Sequence, residues 1–501
     1  MALRRTAGAA RWELGRRGSL RHRVAVLQTA GRRACHAAEV TTATAPTADP
    51  RRERTRAHQR AWGWYDWANS AYVTTTGTVL IGPYLTQLAT AEACPDLATD
   101  ETCTATLDVL GLPVAAGSLA SYTITVATIV SVLLVLVVGA IADRTPRPVR
   151  LLGLLAWVGS LAAMSMVFLS GSSWQLGVLL VIIGNVALGA STVVYDALLV
   201  RVAGPDERDR VSSRAWAMGY AGGGLLLAAN LVLIQLHESL GIGMETAVRI
   251  SLFSAGLWWA VFTLVPVIGL RRVVGTTAVP VERSAGPVAG SLRQLWSTFK
   301  ELRHYPQTLT FLVAYLLFND GIQTVIASAS IYGSEALGFD TGQLMMTILL
   351  VQFVAVGGAL LFGRLAARTG AKKAVLLGVG LWVVVVSQAY FVPRGAFLTW
   401  LGCAVLIGLV LGGTQALARS LYSQLVPVGR ESEFFAFYQA GERGTSWFGT
   451  LTFGLVFQLT GSYRPAILAL LVFFVLGGLV LSRLDVRRGI ADAGNPQPAI
   501  V

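Results

Sequence analysis

Few residues of this sequence are charged, and none forms a familiar catalytic pattern. Of the 501 residues, 13% are charged and 54% are hydrophobic. The sequence has no GxSxG, HExxH or P-loop pattern, which argues against a hydrolase, a zinc protease and a nucleotide-driven machine. The five histidines lie outside every long apolar run: His22, His36, His58, His237 and His304. We therefore expect no enzymatic activity, no cofactor and no metal site.

Cysteine is equally scarce, since four residues are too few for a disulfide framework. Cys35 lies near the N-terminus, and Cys403 lies inside an apolar run, where a packed thiol is expected. Cys94 and Cys103 share one polar loop. If this loop is extracellular the two can form a disulfide, and two free thiols are the alternative.

Lysine is nearly absent, and the positive charge is unevenly distributed. The 40 Lys and Arg include only three lysines, which together with abundant Ala, Gly and Val indicates a high-GC bacterial genome. Residues 1–60 hold 14 Arg and four acidic residues, so most of the net charge of +13 lies there. We expect this segment to be a disordered cytoplasmic tail, either an unstructured arm or an over-extended gene start, with attraction to anionic lipid as the alternative. It has no apolar core of a secretory signal, and its local basicity does not indicate nucleic-acid binding.

Long apolar runs dominate the rest of the chain. An α-helix needs about 20 apolar residues to cross roughly 30 Å of hydrocarbon. Twelve segments are candidates for such spans: 62–88, 114–141, 149–170, 175–200, 212–236, 248–270, 308–332, 343–366, 374–392, 396–418, 434–458 and 464–484. The sequence therefore predicts an all-α, multi-pass protein of the lipid bilayer.

The distribution of Lys and Arg tests this number of spans. Cytoplasmic loops of membrane proteins carry an excess of Lys and Arg. If the N-terminus is cytoplasmic, twelve spans place 36 of the 40 basic residues on the cytoplasmic side. Only Arg249, Arg394 and Arg464 then lie outside, and Arg443 lies within a span. A wrong number of spans would destroy this alternation, so both termini are predicted to be cytoplasmic.

The longest internal connection divides the spans into two groups of six. We predict an N-terminal half at 61–270, a cytoplasmic linker at 271–306, a C-terminal half at 307–485 and a cytoplasmic tail at 486–501. Internal repeats support this division. The segment from Gly139 to Thr145 returns 224 positions later as Gly363 to Thr369.

A second repeat lies in the first span of each half. Asp66 with Asn69 in span 1 resembles Asp320 with Gln323 in span 7, at an offset of 254 positions. Each pair falls at the place that a duplication of six spans requires.

The loop between spans 2 and 3 carries a recognisable pattern. It reads Gly139-x-x-x-Asp143-Arg144-x-x-Arg147-x-x-Arg150 and resembles the cytoplasmic loop signature of the major facilitator superfamily. Asp143 can face the positive N-terminus of span 11 and a neighbouring Arg, and so hold the cytoplasmic side shut. The alternative is a basic loop that only fixes the topology. Pro146 stands where that superfamily usually has Gly, so the turn can differ.

Further segments resemble the vacuolar-effluxer-like, autophagy-related branch of that superfamily. They are Trp64-Tyr-Asp-Trp-Ala-Asn-Ser-Ala-Tyr72, Val211-Ser-Ser, Gly219-Tyr-Ala-Gly-Gly223, Phe311 to Thr324, Gly412 to Ser420 and Glu433-Phe-Phe-Ala-Phe-Tyr438. The resemblance extends over residues 61 to 460. It implies the major facilitator fold of two six-helix halves and the export of small metabolites, amino acids in fungal members.

Ionisable side chains inside predicted spans require an explanation, because each costs about 2.5 to 3.5 kcal/mol at a helix centre. Those in this chain are Asp66, Asp196, Asp320, Arg419, Glu442 and Arg443. Asp320 lies deepest, where burial favours a carboxyl that binds and releases a proton, so we expect it to couple protons. Glu442 and Arg443 are adjacent, point to different helix faces and each need a partner elsewhere.

The polar residues divide into two predicted sites. The substrate or proton-coupling site consists of Asp66, Asn69, Asp320, Gln323, Gln415, Glu442 and Arg443. Helix capping at Asp66 and interhelical hydrogen bonds of the three amides are the alternatives. The cytoplasmic gate consists of Gly139, Asp143, Arg144, Arg147, Asp196, Arg368 and Arg419. Asp196 and Arg419 either join the two halves there or reach separately to the interface.

These features favour a secondary transporter of a small polar metabolite that works by alternating access and is coupled to protons. The alternative is a membrane sensor or scaffold that has kept the fold without transport. We expect a monomer in the cytoplasmic membrane, with lipid, protons and a small molecule as its partners.

Overall fold

A computed structural model describes residues 50–95, 103, 105–273, 300–444 and 446–501. The predicted tail up to residue 49 and most of the predicted linker lie outside the described residues.

The N-terminal part of the described chain is almost entirely helical. Helix α1 (Pro50–Ala71) continues through a π-helical segment (Tyr72–Leu80) into α2 (Ile81–Ala93). The five longer helices that follow are α3 (Leu119–Arg144), α4 (Pro148–Ser165), α5 (Trp174–Val202), α6 (Arg208–Gln235) and α7 (Met244–Gly269). Short 3₁₀ turns occupy Ala116–Ser118, Met166–Phe168 and Pro205–Glu207.

The C-terminal part repeats this pattern. A 3₁₀ turn (Leu302–His304) precedes α8 (Pro306–Ile331), which ends in a π-helical segment (Tyr332–Ala336). The other helices are α9 (Thr341–Thr369), α10 (Ala371–Phe391), α11 (Phe397–Gln424), α12 (Glu431–Gly444), α13 (Ser446–Thr460), α14 (Tyr463–Ala469), α15 (Leu471–Ser482) and α16 (Val486–Asp492).

The helix ends follow from local sequence. Pro148 and Pro306 occupy the first turns of α4 and α8, where a missing backbone N–H costs nothing. Asp340 accepts a hydrogen bond from the N–H of Gln343, whose side chain reaches back to the Asp340 N–H and completes a capping box. Gly370 ends α9 at φ 88°, a conformation that favours glycine.

Ten helical segments are long and apolar enough to span a membrane, counting only the described residues. They coincide with ten of the twelve predicted spans. The remaining two predictions fall on the helical run from Pro50 to Ala93 and on α12 with α13. These two carry Asp66 and the Glu442–Arg443 pair. The fold is consistent with twelve spans.

Two large apolar cores and a set of interhelical contacts hold residues 50–501 in one compact unit. One core is built mainly from α8 to α15, around Trp382, Tyr422 and Phe474. Another joins α1, α4, α5 and α7, around Trp62 and Trp259. Between the two groups of helices, α3 and α5 pack on α12, while α6 packs on α9 and α11.

The connection between α2 and α3 is a small hairpin. Strand β1 (Thr106–Val109) pairs with β2 (Leu112–Ala115) in antiparallel register, with Leu107 opposite Val114. Cys94 and Cys103 are joined by a disulfide, with their Cα atoms 6.1 Å apart. Cys403 is a buried free thiol.

Both predicted tails contain more structure than expected. Helix α1 begins at Pro50, so residues 50–60 of the predicted disordered tail are helical. This stretch is rich in Arg, which favours helices, and it has no breaker between Pro50 and span 1. The C-terminal tail forms α16, and its Ile490 is fully buried.

Candidate functional site

Arg419 lies at the centre of a buried ion-pair cluster that joins the two groups of helices. Its guanidinium Nη2 lies 2.8 Å from Oδ2 of Asp66, and its Nη1 lies 3.2 Å from Oδ1 of Asp196. Its Nε donates to the hydroxyl of Ser212 at 3.0 Å. Arg419 is only 2% exposed and Asp196 only 1%. One residue of α11 therefore binds α1, α5 and α6 together.

Three aromatic rings surround the same guanidinium. Its Cζ lies 4.9 Å from the ring centre of Trp62, 5.2 Å from Trp216 and 5.4 Å from Tyr195. The indole N–H of Trp62 donates to the carbonyl of Tyr195 at 2.8 Å, which fixes the orientation of the rings. Cation–π attraction adds to the ion pairs because the site is desolvated.

A chain of hydrogen bonds leads from this cluster toward the centre of the molecule. The side-chain amide of Gln439 on α12 donates to Oδ2 of Asp196 at 2.9 Å and to Oε2 of Glu442 at 3.2 Å. The hydroxyl of Tyr315 on α8 donates to the same Glu442 oxygen at 3.1 Å. Asp196 is thus shared between Arg419 and Gln439.

Arg443 points away from Glu442 and into the N-terminal group of helices. Its Nη1 donates to Oδ1 of Asn185 on α5 at 3.2 Å. A Cβ atom at Gly189 would lie 3.3 Å from Nε of Arg443 and 2.6 Å from the hydroxyl of Ser131. Gly189 therefore leaves room for the guanidinium between α3 and α5. The sequence predicts separate partners for Glu442 and Arg443. The partners of Glu442 are Gln439 and Tyr315, and the partner of Arg443 is Asn185.

Asp143 caps the first turn of α12. Its two carboxylate oxygens accept hydrogen bonds from the N–H groups of Ser432 and Glu433, both at 2.8 Å. A negative charge at this position also interacts favourably with the dipole of α12. Gly139 permits the approach, because a Cβ there would lie 2.6 Å from Cβ of Ala436 and 2.7 Å from the Ser432 carbonyl oxygen.

The repeat of this loop occupies the matching position in the other interface. A Cβ at Gly363 on α9 would lie 2.6 Å from both Cβ and Oγ of Ser213 on α6. Asp143 has no counterpart here, since Ala367 stands at the equivalent position. Arg208 on α6 instead donates to the Ser423 carbonyl at 2.8 Å and to Oε1 of Gln424 at 3.1 Å.

These contacts close one end of the bundle, which we call the gate end. It carries the loops between α3 and α4 and between α11 and α12. Arg147 and Arg368, both predicted gate residues, are exposed and form no ion pair within the part of the chain that the structure describes. Arg144 lies half-buried at the end of α3. Because Arg147 and Arg368 are exposed, they do not take part in the contacts that hold the gate closed.

Asp320 lies apart from the ion-pair cluster, near the middle of α8. It is 1% exposed, and both of its carboxyl oxygens are buried without a hydrogen-bond partner among the described residues. The neighbouring Asn319 accepts a hydrogen bond from the side-chain amide of Gln415 at 2.9 Å. Gly449 on α13 covers this face of α8, since a Cβ there would lie 2.1 Å from the Thr324 hydroxyl.

The two remaining predicted site residues make little contact. Asn69 is buried and Gln323 is partly exposed, and neither side chain has a hydrogen bond to another described residue. The predicted substrate residues therefore divide into two sets. Asp66, Glu442 and Arg443 lie in or beside the chain of contacts through Arg419, Asp196 and Gln439. Asp320 and Gln415, which bonds to Asn319, lie apart from that chain.

The comparison with protein families follows the same elements. Residues 54–494 match the family model described as "Vacuole effluxer Atg22 like". The chain belongs to this family. The match extends from α1 to the end of α16 and so includes every residue of the clusters above.

Relatives within and near the Atg22-like family align over most of their length. An uncharacterized MFS-type transporter, YxiO of Bacillus subtilis, is 28% identical over 426 residues, 85% of this chain and 94% of that protein. Autophagy-related protein 22-1 of Phaeosphaeria nodorum is 26% identical over 453 residues, 77% of this chain and 79% of that protein. The Atg22-like chain is therefore an MFS-type transporter and a multi-pass membrane protein.

Solved structures agree on the fold. A bacterial homologue of the iron transporter ferroportin, in an outward-facing state, matches with a TM-score of 0.60 at 15% identity and covers 86% of this chain and 99% of that chain. The proton:xylose symporter XylE bound to 6-bromo-6-deoxy-D-glucose matches with a TM-score of 0.59 at 13% identity, covering 85% and 94%. The Atg22-like chain has the major facilitator fold, as the sequence predicts.

Sequence reasoning missed several residues of these clusters. Gln439, Tyr315, Asn185 and the ring of Trp62 are absent from the predicted sites, although each contacts a charged residue of them. Trp62 lies two residues before the Trp64–Tyr72 motif, and Gln439 directly follows the Glu433–Tyr438 motif. Proximity to these motifs was the one available signal.

Proposed function

We propose that this chain is a proton-coupled secondary transporter that exports a small zwitterionic metabolite, such as an amino acid, by alternating access. The observation that carries the proposal is the Arg419 cluster, whose ion pairs with Asp66 and Asp196 join the two groups of helices at the gate end. A buried ion pair adds little stability over apolar packing, so it is better understood as a contact that opens and closes.

The separation between the two groups of charges supports a moving gate. The carboxylates of Asp66 and Asp196 belong to α1 and α5, whereas the guanidinium belongs to α11. Opening the gate end separates these partners and exposes them to water, which solvates each of them. The closed arrangement therefore costs little to leave, as alternating access requires.

Asp320 is our candidate for the proton carrier. A buried carboxylate without a partner is costly, so such a group is held in its neutral form until water reaches it. Gly449 of α13 lies against Thr324 of α8, and movement of α13 away from α8 would admit water to this face of α8. Asp320 can then release a proton in one state and bind one in the other.

Glu442 and Arg443 are our candidates for binding the cargo. They provide a carboxylate and a guanidinium on one turn of α12, with Tyr315 and Asn185 as neutral polar neighbours. Such a set offers one partner for an ammonium group and one for a carboxylate.

We further propose that the protein lies in the cytoplasmic membrane of a bacterium, with both termini and the gate end on the cytoplasmic side. The excess of Lys and Arg in alternate loops supports this orientation. Since the gate end is closed, the described state is closed to the cytoplasm in this orientation.

Counterflow in proteoliposomes tests whether the chain transports at all. Vesicles that contain the full chain and are loaded with one unlabelled amino acid should take up the labelled form, and Arg443→Met should reduce the rate at least tenfold. Arg368→Met, which alters an exposed arginine without an ion pair among the described residues, serves as the control. No counterflow for any member of a broad metabolite panel would instead favour a sensor or scaffold.

A further inference from the structure

The hydrogen-bond chain between the gate and Glu442 depends on one neutral side chain. Gln439 is 3% exposed, and its single amide nitrogen donates to Asp196 and to Glu442 at the same time. Asp196 belongs to α5 in the N-terminal group of helices, whereas Gln439 and Glu442 belong to α12. The carboxylates of Asp196 and Glu442 are therefore linked by two hydrogen bonds through the Gln439 amide, and this link crosses the interface that opens.

The charges around this amide do not balance. We call Asp66, Asp196, Glu442, Arg419 and Arg443 the central cluster, which contains three carboxylates and two guanidiniums. The charged and titratable groups that interact electrostatically with Glu442 are Asp196 from α5, Arg419 from α11, Arg443 and Tyr438 from α12, Tyr315 from α8 and Tyr220 from α6. The tyrosines are neutral, so the cluster lacks one positive charge when every carboxylate is ionised.

Closing the gate end brings the like charges of Asp196 and Glu442 together, and opening it separates them. Two neighbouring carboxylates resist being ionised together. A proton or a cationic group at Glu442 removes this repulsion and favours closure, and by linkage the closed state binds that proton or cation more tightly than the open state does.

We propose that Gln439 is the positioning residue that couples the occupancy of Glu442 to the gate. Its amide holds the two carboxylates at a distance where each responds to the charge of the other, and it connects Glu442 to the Asp196–Arg419 ion pair. The inference rests on the proposed transport function, because it describes what binding at Glu442 does to the closed state. The ligand class is a proton or the ammonium group of the cargo.

The test measures the distance across the gate end in the full chain, reconstituted in lipid nanodiscs without cargo. Spin labels are attached at Arg147→Cys and Arg368→Cys, two exposed positions on opposite groups of helices, after Cys35 and Cys403 are replaced by serine and alanine. Pulsed electron–electron resonance then gives the ratio of closed to open molecules at each pH.

In the unmodified cluster, the closed fraction should fall as the pH rises through the ionisation of Glu442. Glu442→Gln should lose the part of this pH dependence that the ionisation of Glu442 causes. Gln439→Leu should retain the spin-label distances of both the closed and the open state. The change in its closed-to-open ratio across the pH range should become roughly tenfold smaller, because one hydrogen bond to a charged group is lost. Adding Gln439→Leu to Glu442→Gln should cause no further change in pH dependence.

Two further variants keep the test decisive. Gln352→Leu removes another hydrogen bond between the two groups of helices, from Gln352 to Thr74 at 3.0 Å, that has no carboxylate. It should leave the pH at the transition unchanged. The Gln439→Glu variant keeps the side-chain shape of glutamine and adds a fourth carboxylate to the central cluster, so it should move the opening to lower pH. It replaces the leucine variant if that variant does not fold.

Wild-type pH dependence in either Gln439→Leu or Glu442→Gln would overturn the inference. Counterflow on the same preparations separates it from the proposed function. A pH-dependent gate without flux would reject the transport proposal alone. Flux with a gate that ignores pH would reject the role of Gln439 alone.

Discussion

The charged residues in the membrane region of this protein have partners of several kinds. Arg419 has two carboxylates and three aromatic rings, and Arg443 has the amide of Asn185. Asp143 has two backbone N–H groups, whereas Asp320 has no partner among the described residues. The gate is held by partners that other helices contribute. The carboxyl of Asp320 has no such partner among the described residues and is available to bind a proton.

Arg419→Met should destabilise the folded protein by about 3 to 5 kcal/mol, because it leaves Asp66 and Asp196 buried without a counter-charge. Thermal unfolding in detergent measures the effect. Replacing both carboxylates in the same chain, by Asp66→Asn and Asp196→Asn, should restore part of the lost stability. Arg368→Met is the control and should change stability by less than about 0.5 kcal/mol. Equal losses in the two arginine variants would contradict the account.

For single residues, the sequence predicted which charged side chains form the site better than it predicted their partners. Asp196 and Arg419 could be selected because each is ionisable and lies near the same end of its span. The choice between an ion pair and two separate contacts with the interface required the positions of α5 and α11. The aromatic rings around Arg419 come from α1, α5 and α6, so no local pattern could reveal them.

Two close helix contacts across the interface that must open are centred on glycines. On one side α3 meets α12 at Gly139, and on the other α9 meets α6 at Gly363. The two glycines are repeats of one another in the sequence, and each allows a close approach of backbones. Only the α3–α12 contact has a carboxylate that caps the partner helix, so the two contacts differ in their electrostatic strength.

Gly139→Ala should shift the gate toward its open form. A Cβ would lie within 2.7 Å of both Ala436 and the Ser432 carbonyl, and such overpacking costs about 1 to 3 kcal/mol. The spin-label pair at positions 147 and 368 should then report a closed-to-open ratio reduced by roughly tenfold or more. Gly357→Ala on α9 is a matched control, since nothing lies within 4 Å of its Cβ position. An unchanged ratio in the Gly139 variant would remove this contact from the gate.

Hydropathy located most elements, and its two weak points coincide with the functional helices. The π-helical segment Tyr72–Leu80 interrupts span 1, and the charges of α12 lower the apolar character of span 11. Apolar runs marked both as candidate spans, and internal duplication and charge alternation supported them. The sequence did not predict that Val486–Asp492 forms helix α16, because this helix depends on the burial of Ile490 against other elements.

The whole molecule is an arrangement of two similar groups of helices, closed at one end. The loop charges predict that this end lies in the cytoplasm, and the family and fold agree with a multi-pass membrane protein. The predicted linker between the groups falls mainly outside the described residues, so its boundaries stay a prediction.

Chemical labelling of intact cells tests this orientation. In a chain without Cys35 and Cys403, a cysteine replacing exposed Ser172 in the loop between α4 and α5 should react with a membrane-impermeant maleimide. A cysteine replacing Arg147 should react only after the cells are permeabilised. The reverse pattern would invert the proposed topology.

The central claim is proton-coupled transport, and the measurement that tests it most directly is uptake driven by a pH gradient. Proteoliposomes with the full chain should accumulate a labelled amino acid only when a gradient is imposed. Asp320→Asn should abolish accumulation and keep counterflow, since an amide can hold the same space and cannot carry a proton. Asn319→Ala is the control for local packing beside Asp320, and it should keep gradient-driven accumulation. Equal gradient-driven accumulation by the intact chain and Asp320→Asn would contradict the account.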